Sequence, residues 1–132
     1  MTARILIVED EMLVAMELEA ILSDGGFDPV GIAADFATAE EYSAKSLDLA
    51  LVDLNLRDGL TGPQIGQLLG AKGVTVLFLT ANPRILEDGI PGAIGVLTKP
   101  TDSETVRHAV SYALGVRHGE AADPPPSLRL LG

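Results

Sequence analysis

Short apolar runs that stop at a reactive polar residue limit most sharply what this chain can become. Residues 5–8, 49–52, 74–79 and 93–97 are dominated by Ile, Leu, Val and Ala, and a weaker run spans 30–34. Runs this short and this uniformly apolar suit strands buried on both faces of a parallel sheet. The segments between them have helical spacing. Val14, Leu18, Ile21 and Leu22 recur at intervals of one helical turn, and Gly25-Gly26 stops that pattern. Asp35 is placed to cap a second helix carrying Phe36, Ala39 and Leu47. Pro63 fits the first turn of a third, with Ile65, Leu68 and Leu69. Thr101-x-x-Glu104 is a capping-box pattern, opening a last helix with Val106, Ala109, Val110 and Ala113 on one face. Residues 82–92 contain two prolines and two glycines, so any helix there is short. Five strands alternating with helices predict an α/β fold, a doubly wound parallel sheet with helices on both faces.

Composition narrows the functional classes. A chain of 132 residues is expected to form one domain. Apolar residues make up 47% but aromatics only 4%, so the core must be aliphatic. A net charge of -10 argues against a nucleic-acid binder, which needs a basic face. There is no cysteine, which removes disulfides and thiolate metal sites. No apolar run reaches the roughly 18 residues of a membrane span, and the first residues lead straight into a strand without a signal-peptide pattern. The expected location is the cytoplasm. From residue 119 the composition shifts to Ala, Asp and Pro, which cannot continue a helix. The domain is therefore expected over 1–118, with 119–132 a flexible Pro-rich tail.

The chemistry lies at the strand ends. Glu9 and Asp10 follow the first run, Asp53 the third, Thr80 the fourth and Lys99 the fifth. In a parallel sheet these ends share one edge, where ligands bind. Three carboxylates in one crevice repel, and a cation relieves them. Oxygen donors suit Mg²⁺. A lysine can neutralise a transferred phosphoryl group, and a threonine hydroxyl can donate to one of its oxygens. Phosphoryl transfer needs mainly an in-line nucleophile, a metal and positive charge. Asp53 is the best nucleophile, being central and followed by a Gly- and Asp-rich loop expected to flex, and the product would be an aspartyl phosphate. Taken singly, each residue has an ordinary reading. An Asp after a strand can cap a helix or a turn, and threonine is at home in a sheet.

In order and at these spacings, Ile5-Leu6-Ile7-Val8-Glu9-Asp10, Leu51-Val52-Asp53, Leu77-Phe78-Leu79-Thr80-Ala81 and Gly95-Val96-Leu97-Thr98-Lys99-Pro100 resemble the response-regulator receiver domains of bacterial two-component signalling. The resemblance covers residues 4–117. It implies a flavodoxin-like five-stranded sheet of order 2-1-3-4-5. It implies that Asp53 accepts phosphate from a sensor histidine kinase or phosphotransfer protein. Asp10, Asp53 and the main-chain carbonyl of Asn55 would bind Mg²⁺, with Glu9 acting through water. Lys99 would bridge to the phosphoryl group, and Thr80 would be the switch hydroxyl. Residues 9–18 and Asp53-Leu54-Asn55-Leu56 are similar to the single-domain subset paired with kinases of the HWE family. Two features depart from the family pattern. Val96 stands where a switch Tyr or Phe is usual, and Leu56-Arg57 replace a usual Met-Pro.

The expected role is a stand-alone receiver read by a downstream protein through protein–protein contacts, with no nucleic-acid or membrane partner. It would catalyse its own phosphorylation and dephosphorylation without being a turnover enzyme. The alternatives are a phosphate sink, an adaptor with a vestigial pocket, or a phosphatase with an aspartate nucleophile. Such phosphatases carry a second aspartate where this chain has Asn55. His108 and His118 are expected at the surface, and Met12 and Met16 in helix packing. The outer side of the last helix could pair with a second copy of the chain.

Overall fold

In a computed structural model, residues 2–81, 93–99 and 101–131 are described. The expectation for a short helix in 82–92 falls outside these residues. The elements run β1 (Arg4–Val8), α1 (Met12–Asp24), β2 (Asp28–Ala33), α2 (Phe36–Tyr42), β3 (Leu49–Val52), α3 (Gly62–Ala71), β4 (Thr75–Thr80), β5 (Ala93–Thr98), α4 (Ser103–Arg117) and β6 (Leu128–Leu130). The sheet order is β2-β1-β3-β4-β5-β6. The pairs among the first five strands are parallel, and β6 joins β5 antiparallel. This is the flavodoxin-like order expected, with one strand added.

Alternation along each strand divides the core into two layers. Ile5, Ile7, Leu49, Leu51, Leu77, Leu79 and Leu97 pack under α1 and α4. Leu6, Val8, Ala50, Val52, Val76, Phe78 and Val96 pack under α2 and α3. The central strands β3 and β4 are buried along their whole length, as their unbroken apolar runs require. α4 buries Val106, Ala109, Val110 and Ala113, the face read from the sequence. Among the described residues no helix is long and apolar enough to cross a membrane.

Four expectations need correction. α2 ends at Tyr42, so Leu47 lies in the connection to β3, although it is buried there. The N-cap of α4 is Asp102, whose carboxylate accepts from the Thr105 amide at 2.7 Å, not Thr101. Met12 and Met16 do not pack, being 56% and 54% exposed beside an 83% exposed Leu13. The buried stripe of α1 is Ala15, Leu18, Ile21 and Leu22, and at about 100° per residue the methionines fall on its far flank. Finally, the tail is not free throughout. Leu128 is 6% exposed and enters the α1/α4 layer, and residues 128–130 extend the sheet. The driving force is local: β5 would otherwise end the sheet with an unpaired backbone edge.

Candidate functional site

The strand ladder continues for one residue past three strand ends and so fixes where the reactive side chains depart. The Glu9 amide donates to the Ala33 carbonyl at 2.9 Å, the Asp53 amide to Val8 at 2.9 Å, and the Lys99 amide to Thr80 at 2.8 Å. Glu9, Asp10, Asp53, Thr80 and Lys99 thus leave from one edge of the sheet, as the strand-end pattern predicted.

Glu9 is buried, 1% exposed. One of its oxygens accepts from the amides of Asp10 at 3.1 Å and Glu11 at 3.3 Å. The other meets the Lys99 ammonium. Lys99 Nζ also donates to Asp53 Oδ2 at 3.0 Å, while Asp53 Oδ1 accepts from the Leu54 amide at 2.7 Å. Burial pushes the Glu9 carboxyl above its ordinary value, against the opposing pull of Lys99. Burial also works against the charged form of Lys99, but its bonds to Glu9 and Asp53 prevail and hold its pKa above the usual lysine value.

Glu9, Asp10 and Asp53 each bring a carboxylate oxygen within 4.8 Å of the others. An all-oxygen donor set with one buried member fits a hard divalent ion, and it matches the Mg²⁺ site of receiver domains. A cavity of about 310 Å³ opens over the cluster, with Asp10, Asp53, Asn55, Thr80, Ala81 and Lys99 on its wall. A larger, mainly apolar cavity of about 410 Å³ lies alongside between α1 and α4. Asp10 and Asp53 do not line it, so the polar cavity is where the chemistry can occur. Thr80 is fully buried at the end of β4. Asn55 stands exposed at the rim. Val96 is not brought to the cavity. It is 1% exposed, beside Phe78 on β4, in the α2/α3 layer.

The loop after Asp53 is tied down, contrary to the flexibility expected of it. Leu54 and Leu56 are buried. Leu56 and Gly59 exchange two backbone hydrogen bonds, at 2.8 and 3.0 Å, around a Gly59 φ of +109°. The Arg57 amide donates to the Ala34 carbonyl at 3.2 Å, and its guanidinium pairs with Asp35. Asp58 accepts from the Phe36 amide at 3.1 Å and from the Thr61 hydroxyl at 2.6 Å. Sequence reasoning also passed over Gly62. A Cβ there would overlap the Asp53 carbonyl oxygen, so only glycine lets α3 start this close to the aspartate. The Gly-Pro pair at the start of α3 was the available signal.

The signature of the response regulator receiver domain matches residues 5–111. The phyllosphere-induced regulator PhyR of Methylorubrum extorquens is 36% identical over 118 residues, which is 86% of this chain and 44% of that protein. The chain thus spans less than half the length of that relative. The chemotaxis protein CheY of Bacillus subtilis is 30% identical over 119 residues, 86% of this chain and 99% of CheY. Among solved structures, the receiver domain of Erythrobacter litoralis PhyR superposes with a TM-score of 0.79 at 35% identity, covering 92% of this chain and 97% of that one. With the strand order, the acidic cluster at the sheet edge and a match over residues 5–111, the chain belongs to the response regulator receiver domains.

Proposed function

We propose that Asp53 is the phosphoacceptor and that a partner histidine kinase or phosphotransfer protein supplies the phosphoryl group from a phosphohistidine. One observation carries this reading. The Asp53 carboxylate is held between the Leu54 amide and the Lys99 ammonium, next to two further carboxylates, with its side chain still 13% exposed to the cavity. It is oriented and open on one side. A carboxylate oxygen of Asp53 attacks phosphorus, the phosphorus–nitrogen bond of the donor breaks, and the imidazole leaves with its electron pair.

Asp10 and Asp53, with the Asn55 main-chain carbonyl and Glu9 through water, would hold Mg²⁺. When bound, the ion supplies charge neutralisation of the phosphoryl oxygens. Lys99 moves its ammonium from the carboxylates to the new phosphoryl oxygens. Thr80 donates its hydroxyl to another, a charge-assisted bond of about 1.5–3 kcal/mol. That is enough for a roughly ten- to hundredfold population shift. Val96 is packed in the core and carries no ring to swing, so the shift proceeds without an aromatic partner at that position. The chain catalyses its own phosphorylation and its loss of phosphate and is not a turnover enzyme. The finer reading is a stand-alone regulator in the cytoplasm, paired with an HWE-family kinase and read by a downstream protein. The resemblance of residues 9–18 and 53–56 to the HWE-paired subset supports the pairing.

Incubation with acetyl phosphate and Mg²⁺ tests this by intact mass. One added phosphate in the wild type and none in Asp53→Ala is the expected result. Equal labelling of both proteins overturns the assignment. Steady turnover of a small phosphate ester that depends on Asp53 would instead point to a phosphatase.

A further inference from the structure

The segment after α4 turns back onto the body. Gly119, at φ +76°, makes the reversal, and the Glu120 amide donates to the Gly115 carbonyl at 2.8 Å. His108 Nε2 lies 3.0 Å from the Asp123 carbonyl. The carbonyl of Pro125 accepts from the Leu128 amide at 3.0 Å. The chain then runs antiparallel to β5, with Leu128 opposite Leu97, Arg129 opposite Val96 and Leu130 opposite Gly95. The Leu131 amide adds a bond to the Ile94 carbonyl at 3.0 Å.

Two leucines carry this strand into the core. Leu128 enters the α1/α4 layer and Leu131 packs on the α2/α3 layer, one on each face, as strand alternation requires. Leu130 between them is 52% exposed. Residues 119–123, which lead in, are exposed. A short strand at the edge of the sheet, reached through exposed residues, belongs to the more easily opened part of a fold. What it covers is a complete template for another strand. β5 has neither proline nor charge in Ala93–Thr98, and Gly95 leaves room for a neighbouring backbone. A Cβ on Gly95 would come within 2.7 Å of the Arg129 carbonyl oxygen and 3.0 Å of Leu128 Cδ1.

We infer that the β5 edge is a strand-addition site that the chain keeps occupied with its own C-terminal strand, and that release of this strand opens the edge to an extended segment of another protein with leucines three residues apart. Main-chain bonds would supply the affinity, and the two leucine sites, one per sheet face, the selectivity. The inference does not depend on phosphorylation at Asp53.

The probe is a fluorescent peptide with the sequence of residues 124–131, titrated against the full-length chain and followed by anisotropy. Leu128→Asp, and separately the milder Leu131→Asp, should release the resident strand and bind the peptide at least tenfold more tightly than the wild type. Adding Gly95→Val to either should abolish that gain. Hydrogen exchange run in parallel should show β5 amides losing protection while β1 and β3 keep theirs. The inference falls if a released, folded chain binds no peptide, if wild type and both variants bind it equally, or if binding survives Gly95→Val.

Discussion

The two flanks of the parallel sheet solve the same problem by different means. β2 stands open, and its own sequence guards it. The Asp28 amide points inward to the Ala3 carbonyl at 2.9 Å, so the next nitrogen, that of Pro29, faces the open side, where it has no hydrogen to offer a partner. Asp28 adds a charge, and the register with β1 shifts between Ile5 and Leu6, which bends the edge away from flat pairing. β5 has a comparable register shift, against β4 between Val76 and Leu77, but neither proline nor charge, and it carries a borrowed strand. The difference teaches that an apolar edge can be covered by a segment far along the chain, and that such cover can come away while an intrinsic guard cannot.

The largest expected effect separates body from cover. Leu97→Ala should cost about 2–5 kcal/mol in urea unfolding. Leu128→Ala, in the facing residue, should cost less than half as much, because the strand can lift while the sheet stays folded. Equal losses would show that β6 unfolds only with the whole domain. On the other flank, Gly31 lies under the Tyr42 ring, and a Cβ there overlaps the phenol. Gly31→Ala should cost about 1–3 kcal/mol, and a double-mutant cycle with Tyr42→Ala should be strongly non-additive. Additive losses would mean that the ring does not limit this position. Pro29→Val should change stability by no more than about 0.5 kcal/mol but raise self-association in sedimentation velocity, since it restores a donor on the open side. A variant as monomeric as the wild type would deny Pro29 its guarding role.

The smallest effect concerns the α2 cap beside β2. The Asp35 carboxyl is lowered from 3.8 to about 2, first by the Thr38 amide and then by Arg57. A depressed carboxyl stabilises the fold above its unfolded pKa and loses that contribution as pH falls through its folded one. Asp35→Asn keeps a cap but not the charge. The gap in urea midpoint between wild type and variant should therefore close as pH drops from about 4 to about 2. A gap that stays constant would remove the charge from the account.

The reactive edge was legible because it needs only local signals. Apolar runs place strands, parallel topology sends their ends to one side, and Glu9, Asp10, Asp53, Thr80 and Lys99 follow. What stayed hidden depends on partners distant in sequence. Nothing near Arg57 announces its pairing with Asp35, nor anything near Asp58 its bond to the Phe36 amide, so a Gly- and Asp-rich loop read as mobile. Leu128 to Leu131 is too short for a periodicity, and its partner strand begins 35 residues earlier, at Ala93. Helical spacing marked Met12 and Met16 as apolar but could not show that, among the described residues, that flank of α1 stays exposed. The cap of α4 moved by one residue because Thr101 and Asp102 are both cap formers, and only the backbone decides between them.

The bridge from Lys99 to both Glu9 and Asp53 has a consequence for ion binding. Lys99 gives the pocket its own internal counter-ion. It offsets part of the charge of Glu9, Asp10 and Asp53 and still leaves the pocket net negative, which draws a cation to it. A cation that enters must therefore share Glu9 and Asp53 with the Lys99 ammonium.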